Sequence, residues 1–158
     1  MISAKVVTTD TRGVYDSILR EISKLDGQAV KAGILAKDAT LPYERGLFLG
    51  QVAAINEFGL GTTPERSFER STFDERNRHW FNGIRRNMAS TSLHSAFSTS
   101  VLLRAGKVMQ KDIRTKIVRM RNPANAARTI RRKGFNNPLV ENGRLHRNIR
   151  YALHRSRL

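Results

Sequence analysis

Cysteine is absent from the 158 residues, which rules out disulfides, a thiolate nucleophile and a Cys-based zinc site. Long apolar runs are missing too, since no stretch approaches the roughly 20 residues that a membrane span requires. The opening "MISAKVVTTD" lacks the charged-then-apolar order of a secretory signal. These absences point to a protein assembled in a cytoplasm, with no membrane contact. Acidic residues are scarce in one half only. Residues 76–158 contain 20 Lys/Arg against just Asp112 and Glu141, a net of +18. Residues 1–75 hold 9 Lys/Arg and 11 Asp/Glu, a net of −2. A chain polarised in this way has a polarised surface potential. It calls for a partner with negative charge, either nucleic acid or the acidic face of another subunit.

Enough is present to build one core. Hydrophobic residues make up 39% and recur in periodic patches, so residues 1–158 read as one folded α+β domain that includes the basic segment 122–158. Ile2–Thr8 alternates as a half-buried strand. Val14, Ile18, Leu19, Ile22 and Leu25 fall on one helical face that Gly27 stops. Ala29–Leu35 reads as a strand, and Phe48–Gly59 as a second, with Val52, Ala54, Asn56 and Phe58 on one side. Ser71 and Asp74 suggest a helix start, followed by Phe73, Trp80, Phe81, Ile84 and Met88 at helical spacing. A long helix is expected over roughly 93–121, ended by Asn122-Pro123. One turn at Gly143–His146 and a closing strand through Ile149, Tyr151 and Leu153 complete the order. The expected architecture is a small antiparallel or mixed sheet of about four strands, packed with one short and two longer helices.

Candidate chemistry centres on "INEFGLGTTPERSFERSTFDE" (Ile55–Glu75). Its Gly59-Leu60-Gly61 lacks the third glycine of a dinucleotide site, and "GLGTTPERS" lacks the Gly-Lys-Ser/Thr ending of a phosphate-binding loop. His79, His94, His146 and His154 have no spacing that brings two imidazoles to one metal. Glu65-Arg66 and Glu69-Arg70 repeat at i, i+4 beside their own counter-ions, the pattern of an ion-pair ladder more than of a general acid and base. No catalytic residue, metal ligand or cofactor is expected. "RTKIVRMR", "RTIRRKG" and "RLHRNIRYALHRSR" form a basic field suited to phosphate contacts, with Tyr151 and Phe135 as the nearby stacking candidates. Arg128, Arg131, Arg132, Lys133, Arg144, Arg147 and Arg150 are the cations expected to face DNA or an acidic partner.

Val52–Glu75, with "NEFG" and "PERSFER", resembles the "NEFG…IPxRxFxR" signature of small virion-morphogenesis proteins of tailed bacteriophages. Asn122–Leu153 resembles the same family's "TIxxKG…PLxxTGxLxxSIxY" tail, and Gly106–Arg121 its intervening helix. Thr63, Asn142 and Asn148 depart from the pattern, in or beside turns. The resemblance covers about two-thirds of the chain. It implies a neck component, a head–tail connector or tail-completion protein located in the virion at the head–tail junction. Such a protein forms a homo-oligomeric ring, a multiple of six, between portal-side and tail-tube or tail-terminator neighbours, with weak contact to genomic DNA. The alternative is a nucleic-acid-binding protein without sequence preference that uses the basic half. In a ring, Glu57, Phe58, Pro64, Arg66, Phe68 and Arg70 become the expected subunit interface, with Phe68 and Phe73 as apolar anchors unless they fold into the subunit's own core.

Overall fold

The computed structural model describes residues 27–90 and 97–155, together with Asp16, Leu19, Arg20 and Ser23, all four helical. The strand expected at Ile2–Thr8, most of the helix expected around 14–25, and Leu93 at the start of the long helix lie outside the described residues.

Gln28–Ile34 forms β1, where Val30, Ala32 and Ile34 are half-buried on one side, Ala29 and Lys31 are exposed on the other, and Gly33 on that second side is buried. Two short segments follow, a helical turn α1 (Ala36–Ala39) and a 3-10 turn (Glu44–Gly46). Leu49–Phe58 is α2, Arg70–Ser90 is α3 and Phe97–Arg119 is α4. The chain closes with α5 (Ala127–Lys133), the single turn α6 (Arg144–Arg147) and β2 (Ile149–Arg155). The fold is α+β. Among the described residues its sheet has two strands, β1 and β2, antiparallel and in register from Gln28↔Arg155 to Ile34↔Ile149.

The segment read as a second strand, Phe48–Gly59, is the helix α2. Its alternating set is not the buried set: Phe58 is 54% exposed, whereas Leu49, Ala53 and Glu57, four residues apart, are buried. Short apolar runs fit both periods, and length and punctuation decide between them. Here the punctuation is helical. Gln51 Oε1 accepts the Phe48 N–H at 2.8 Å, satisfying a donor at the start. Gly59 ends the helix in the left-handed conformation (φ 65°), and the Leu60 N–H reaches back to the Ile55 carbonyl. Gly59 is also required for space, because a Cβ there would lie 2.6 Å from the Glu65 backbone nitrogen.

One cluster joins the elements: Leu49 and Ala53 of α2, Phe68 just before α3, Ile113 and Ile117 of α4, and Leu139, Leu145 and Ile149 from the far end. Helix α4 lies across the sheet, and Gly106 sets how closely. A Cβ at Gly106 would fall 2.6 Å from Val30 Cγ2 and 2.7 Å from Tyr151 Cδ2, so the helix touches both strands through a missing side chain. On its other side α4 is tied to α3 by Asp112, whose Oδ2 accepts the Trp80 indole N–H at 2.8 Å and pairs with Arg76 at 3.3 Å. Trp80 meets Phe73 edge-on.

Gly106→Ala sets two effects against each other. Alanine gains about 1 kcal/mol of helix propensity, and overpacking the sheet costs about 1–3 kcal/mol. The clash involves two strands at once and prevails. Thermal melts of the variant are expected to show Tm lowered by about 2–6 °C, and an unchanged or raised Tm would mean that the helix–sheet contact has slack.

Candidate functional site

The stretch from Glu57 to Arg70 folds around one carboxylate. Glu57 projects from the last turn of α2 towards the first turn of α3, where four orphan backbone donors await partners. Glu57 Oε2 accepts the N–H groups of Phe68 (2.7 Å) and Glu69 (2.9 Å). Oε1 accepts the Arg70 N–H (2.9 Å), the Ser67 hydroxyl (2.8 Å) and the Arg70 Nε–H (3.2 Å). An anion here also meets the positive end of the helix dipole. Burial alone would raise the Glu57 pKa. The backbone donors of Glu69, Arg70 and Phe68, with the Ser67 hydroxyl, outweigh burial and hold it below the usual carboxylate value.

The expected start of α3 at Ser71 moves accordingly. The helix begins at Arg70, and Ser71 sits inside the first turn, its N–H bonded to the Ser67 hydroxyl oxygen. The cap is supplied across the loop by Glu57, not locally by Ser71.

Arg66 is the second clamp. Its backbone N–H donates to the Asn56 carbonyl at 2.7 Å, and its Nη1 to Asn56 Oδ1 at 3.3 Å. Its Nε and Nη2 reach the carbonyls of Pro123 and Ala124, both at 3.0 Å. Burial lowers the Arg66 pKa from the usual arginine range. It is paired with carbonyl oxygens, not carboxylates, so the expected ladder of Glu65-Arg66 and Glu69-Arg70 pairs forms only at Arg70. Arg70 bridges Glu57 and Glu65 (2.7 Å to Glu65 Oε1) and lies 4.6 Å over the Phe58 ring. Glu69 turns the other way, accepting the Ile34 N–H of β1 at 3.2 Å. Burial raises its pKa, the Ile34 bond opposes that shift, and the Glu57 charge adds to it.

Of the six residues expected at a subunit interface, three are interior. Phe68 is fully buried in the core, and Glu57 and Arg66 are 5% and 7% exposed. The two expected aromatic anchors part ways: Phe68 lies within the core, whereas Phe73 is 49% exposed. The reason is the position of the cap. Glu57 holds the Phe68 backbone N–H, which turns the Phe68 side chain towards Leu49 and Ala53. Phe58, Pro64 and Arg70 remain at the surface, beside exposed Leu60.

The cations expected to face a partner also divide. Arg132 pairs with Glu141 at 2.6 Å, and Lys133 donates to the Asn137 carbonyl at 2.8 Å. Arg150 lies 3.7 Å from Asp38, while Arg144 bonds the Pro42 carbonyl and stacks 5.0 Å from the Tyr43 ring. Arg128, Arg131 and Arg147 are exposed. Sequence reasoning missed Asn137, which is buried and bonds the Val118 carbonyl and the N–H groups of Leu139 and Val140. The Asn137-Pro138 turn was its only local sign.

Chemically, the arm is a locked polar junction. A carboxylate that accepts five hydrogen bonds and whose pKa is lowered takes up a proton less readily than a free one, which disfavours Glu57 as a general base. Among the described residues no group of three or more His, Asp and Glu converges as metal ligands would, and no helix is long and apolar enough to cross a membrane. No family model, curated protein or solved structure matches the chain.

Two neighbouring carboxylates thus carry opposite signs of pH dependence. The depressed pKa of Glu57 contributes stability that is present above the unfolded value near pH 4.3 and is lost as pH falls through the lower folded value. The raised pKa of Glu69 works the other way, opposing folding as pH rises through its folded value. Glu57→Gln is expected to lose about 3 kcal/mol at pH 7, since it turns an amide donor towards backbone donors. Its deficit should shrink below about pH 4.3. Glu69→Gln keeps an acceptor for Ile34 and is expected to melt at or above wild type at pH 7. Thermal melts of both variants between acid and neutral pH test the pair, and a pH-independent Glu57→Gln deficit would contradict the assignment.

Proposed function

We propose that this protein is a structural component of a tailed-phage virion, a subunit of a ring at the head–tail junction, with no catalytic role. The observation that carries the reading is the meeting of the two signature segments. Arg66, from the "PERSFER" segment, holds the carbonyls of Pro123 and Ala124 at the start of the second segment. Phe68 shares its cluster with Leu139, Leu145 and Ile149 of that second segment. Motifs far apart in sequence therefore serve one junction, which is what a shared fold would require of them.

With Glu57, Arg66 and Phe68 committed inside the subunit, the ring contact falls to the side chains that the junction leaves outside, namely Phe58, Leu60 and Pro64. They form an apolar rim at the end of α2, with Arg70 stacked on Phe58. Aromatic and Arg side chains are the usual anchors of such contacts. The unequal charge of the two halves suits head-to-tail contacts between unlike patches, which close into rings. A multiple of six follows from the resemblance.

The alternative, nucleic-acid binding without sequence preference, is favoured by the exposed Arg128, Arg131 and Arg147 and the net charge of +16. It predicts tight DNA binding that falls steeply with salt.

Phe58→Ala is expected to weaken each subunit contact by about 2 kcal/mol or more, leaving monomers in place of rings by mass photometry and electron microscopy, with Tm unchanged. Phe68→Ala is expected to lower monomer stability by roughly 3–5 kcal/mol through a core cavity. A wild-type protein that never forms rings or enters virions would sink the neck reading.

A further inference from the structure

Helix α4 has a second long face, turned away from the core and independent of the arm. Arg104, Lys107, Lys111 and Arg119 recur along it at helical spacing, and exposed Val108 and Val118 lie among them. Together with His146 from α6 they line an open groove of about 740 Å³. Among the described residues no carboxylate lines it, and no Phe, Tyr or Trp. Its opposite wall is fixed. Arg114 Nη2 donates to the carbonyls of Arg147 (3.1 Å) and Ile149 (3.0 Å), and Gln110 Nε2 donates to the Ile149 carbonyl at 2.7 Å. The groove is therefore a feature of the packed fold. Burial and the charges of Arg114 and Arg147 lower the pKa of His146, the shift expected of an imidazole in a positive field.

We propose that this groove docks an amphipathic helix of a different protein, one that carries Asp and Glu beside an apolar ridge. Two features of the groove select this occupant. Uncompensated cations call for carboxylates or phosphates. Exposed valines among them call for apolar contact, which a phosphate backbone does not supply, and the groove offers no aromatic platform for bases. From Arg104 to Arg119 the face runs for about 22 Å, the length of a helix of about 15 residues. The described helices of a second copy of this chain are a poor match. Within the described residues α3 has only Asp74 and Glu75 against Arg70, Arg76, Arg78, Arg85 and Arg86, and the one carboxylate of α2, Glu57, is buried. The assignment stands apart from the ring contact at Phe58, so either can fail alone.

Fluorescence anisotropy at physiological salt tests it with three labelled probes. They are a helix-forming peptide of about 15 residues with Leu at i, i+3, i+4 and i+7 and Glu between, the same peptide with Ser for Leu, and a short DNA duplex. The Leu/Glu peptide is expected to bind at least about tenfold more tightly than the Ser/Glu control, a difference of about 1.4 kcal/mol. Lys107→Glu/Lys111→Glu and Val108→Ser/Val118→Ser are each expected to weaken its binding by a similar factor. All four positions are at the surface, and melting curves confirm that both variants are folded. Equal binding of the two peptides, or loss in the charge variant alone, would overturn the proposal. So would tighter binding of the duplex that Lys107→Glu/Lys111→Glu abolishes, which would assign the face to nucleic acid.

Discussion

The Glu57 carboxylate fixes where α3 starts and which way Phe68 points. Its five accepted hydrogen bonds replace the water it loses on burial, and three of them go to consecutive backbone donors that no intrahelical carbonyl could reach. Placing a charge at this depth is costly unless each lone pair is used. The loop between the helices is accordingly closed around it: Gly59 turns back without a side chain, Ser67 contributes its hydroxyl, and Arg70 adds a guanidinium from the outside. The hydrophobic core follows from this arrangement, because Phe68 is carried inward by the residue whose N–H Glu57 holds.

A second constraint joins the beginning and end of the described chain. Strand β2 pairs with β1 across more than a hundred residues, and α4 packs on both strands where Gly106 leaves no side chain between them. Arg66 and Asn137 then tie the irregular segment after α4 to the arm and to the end of α4. Irregular backbone is stable in a packed setting only when its polar groups find partners, and these two side chains provide them. The region that is richest in Arg is thus held by a few buried polar residues, which leaves much of its charge at the surface.

Sequence periodicity located α3 and α4, which are long enough for the helical period to dominate, and it also located the seven-residue strands β1 and β2. It failed at Phe48–Gly59, where twelve residues satisfy both periods and the helix is marked by Gln51 and Gly59 towards its ends. The motif "NEFG…PERSFER" was legible as a unit, but its interior geometry was not. Nothing local distinguishes Phe68 from Phe73, since both are aromatic residues beside an acid and a short polar run. The difference arises from a hydrogen bond spanning 11 residues. Likewise the ladder expected from Glu-Arg spacing assumed helical neighbours, whereas Arg66 precedes α3 and turns towards carbonyls 57 and 58 residues away.

Charge asymmetry was the plainest signal in the sequence, and the fold explains how one chain tolerates it. Some cations are paired within the chain: Arg66 and Arg114 with backbone carbonyls, and, at the surface, Arg132 with Glu141 and Arg150 with Asp38. These groups stabilise the structure and present little free charge. The remainder are spread over separate faces, Arg128 and Arg131 on α5 and the row from Arg104 to Arg119 on α4, where water and salt screen their repulsion. Screening reduces that cost without removing it, and a row of cations on a fixed groove wall cannot relax by moving apart. An anionic surface bound there would relieve repulsion already present in the free protein. In the docking proposed for α4, the driving force would be set by the same composition that leaves the C-terminal half almost without acids.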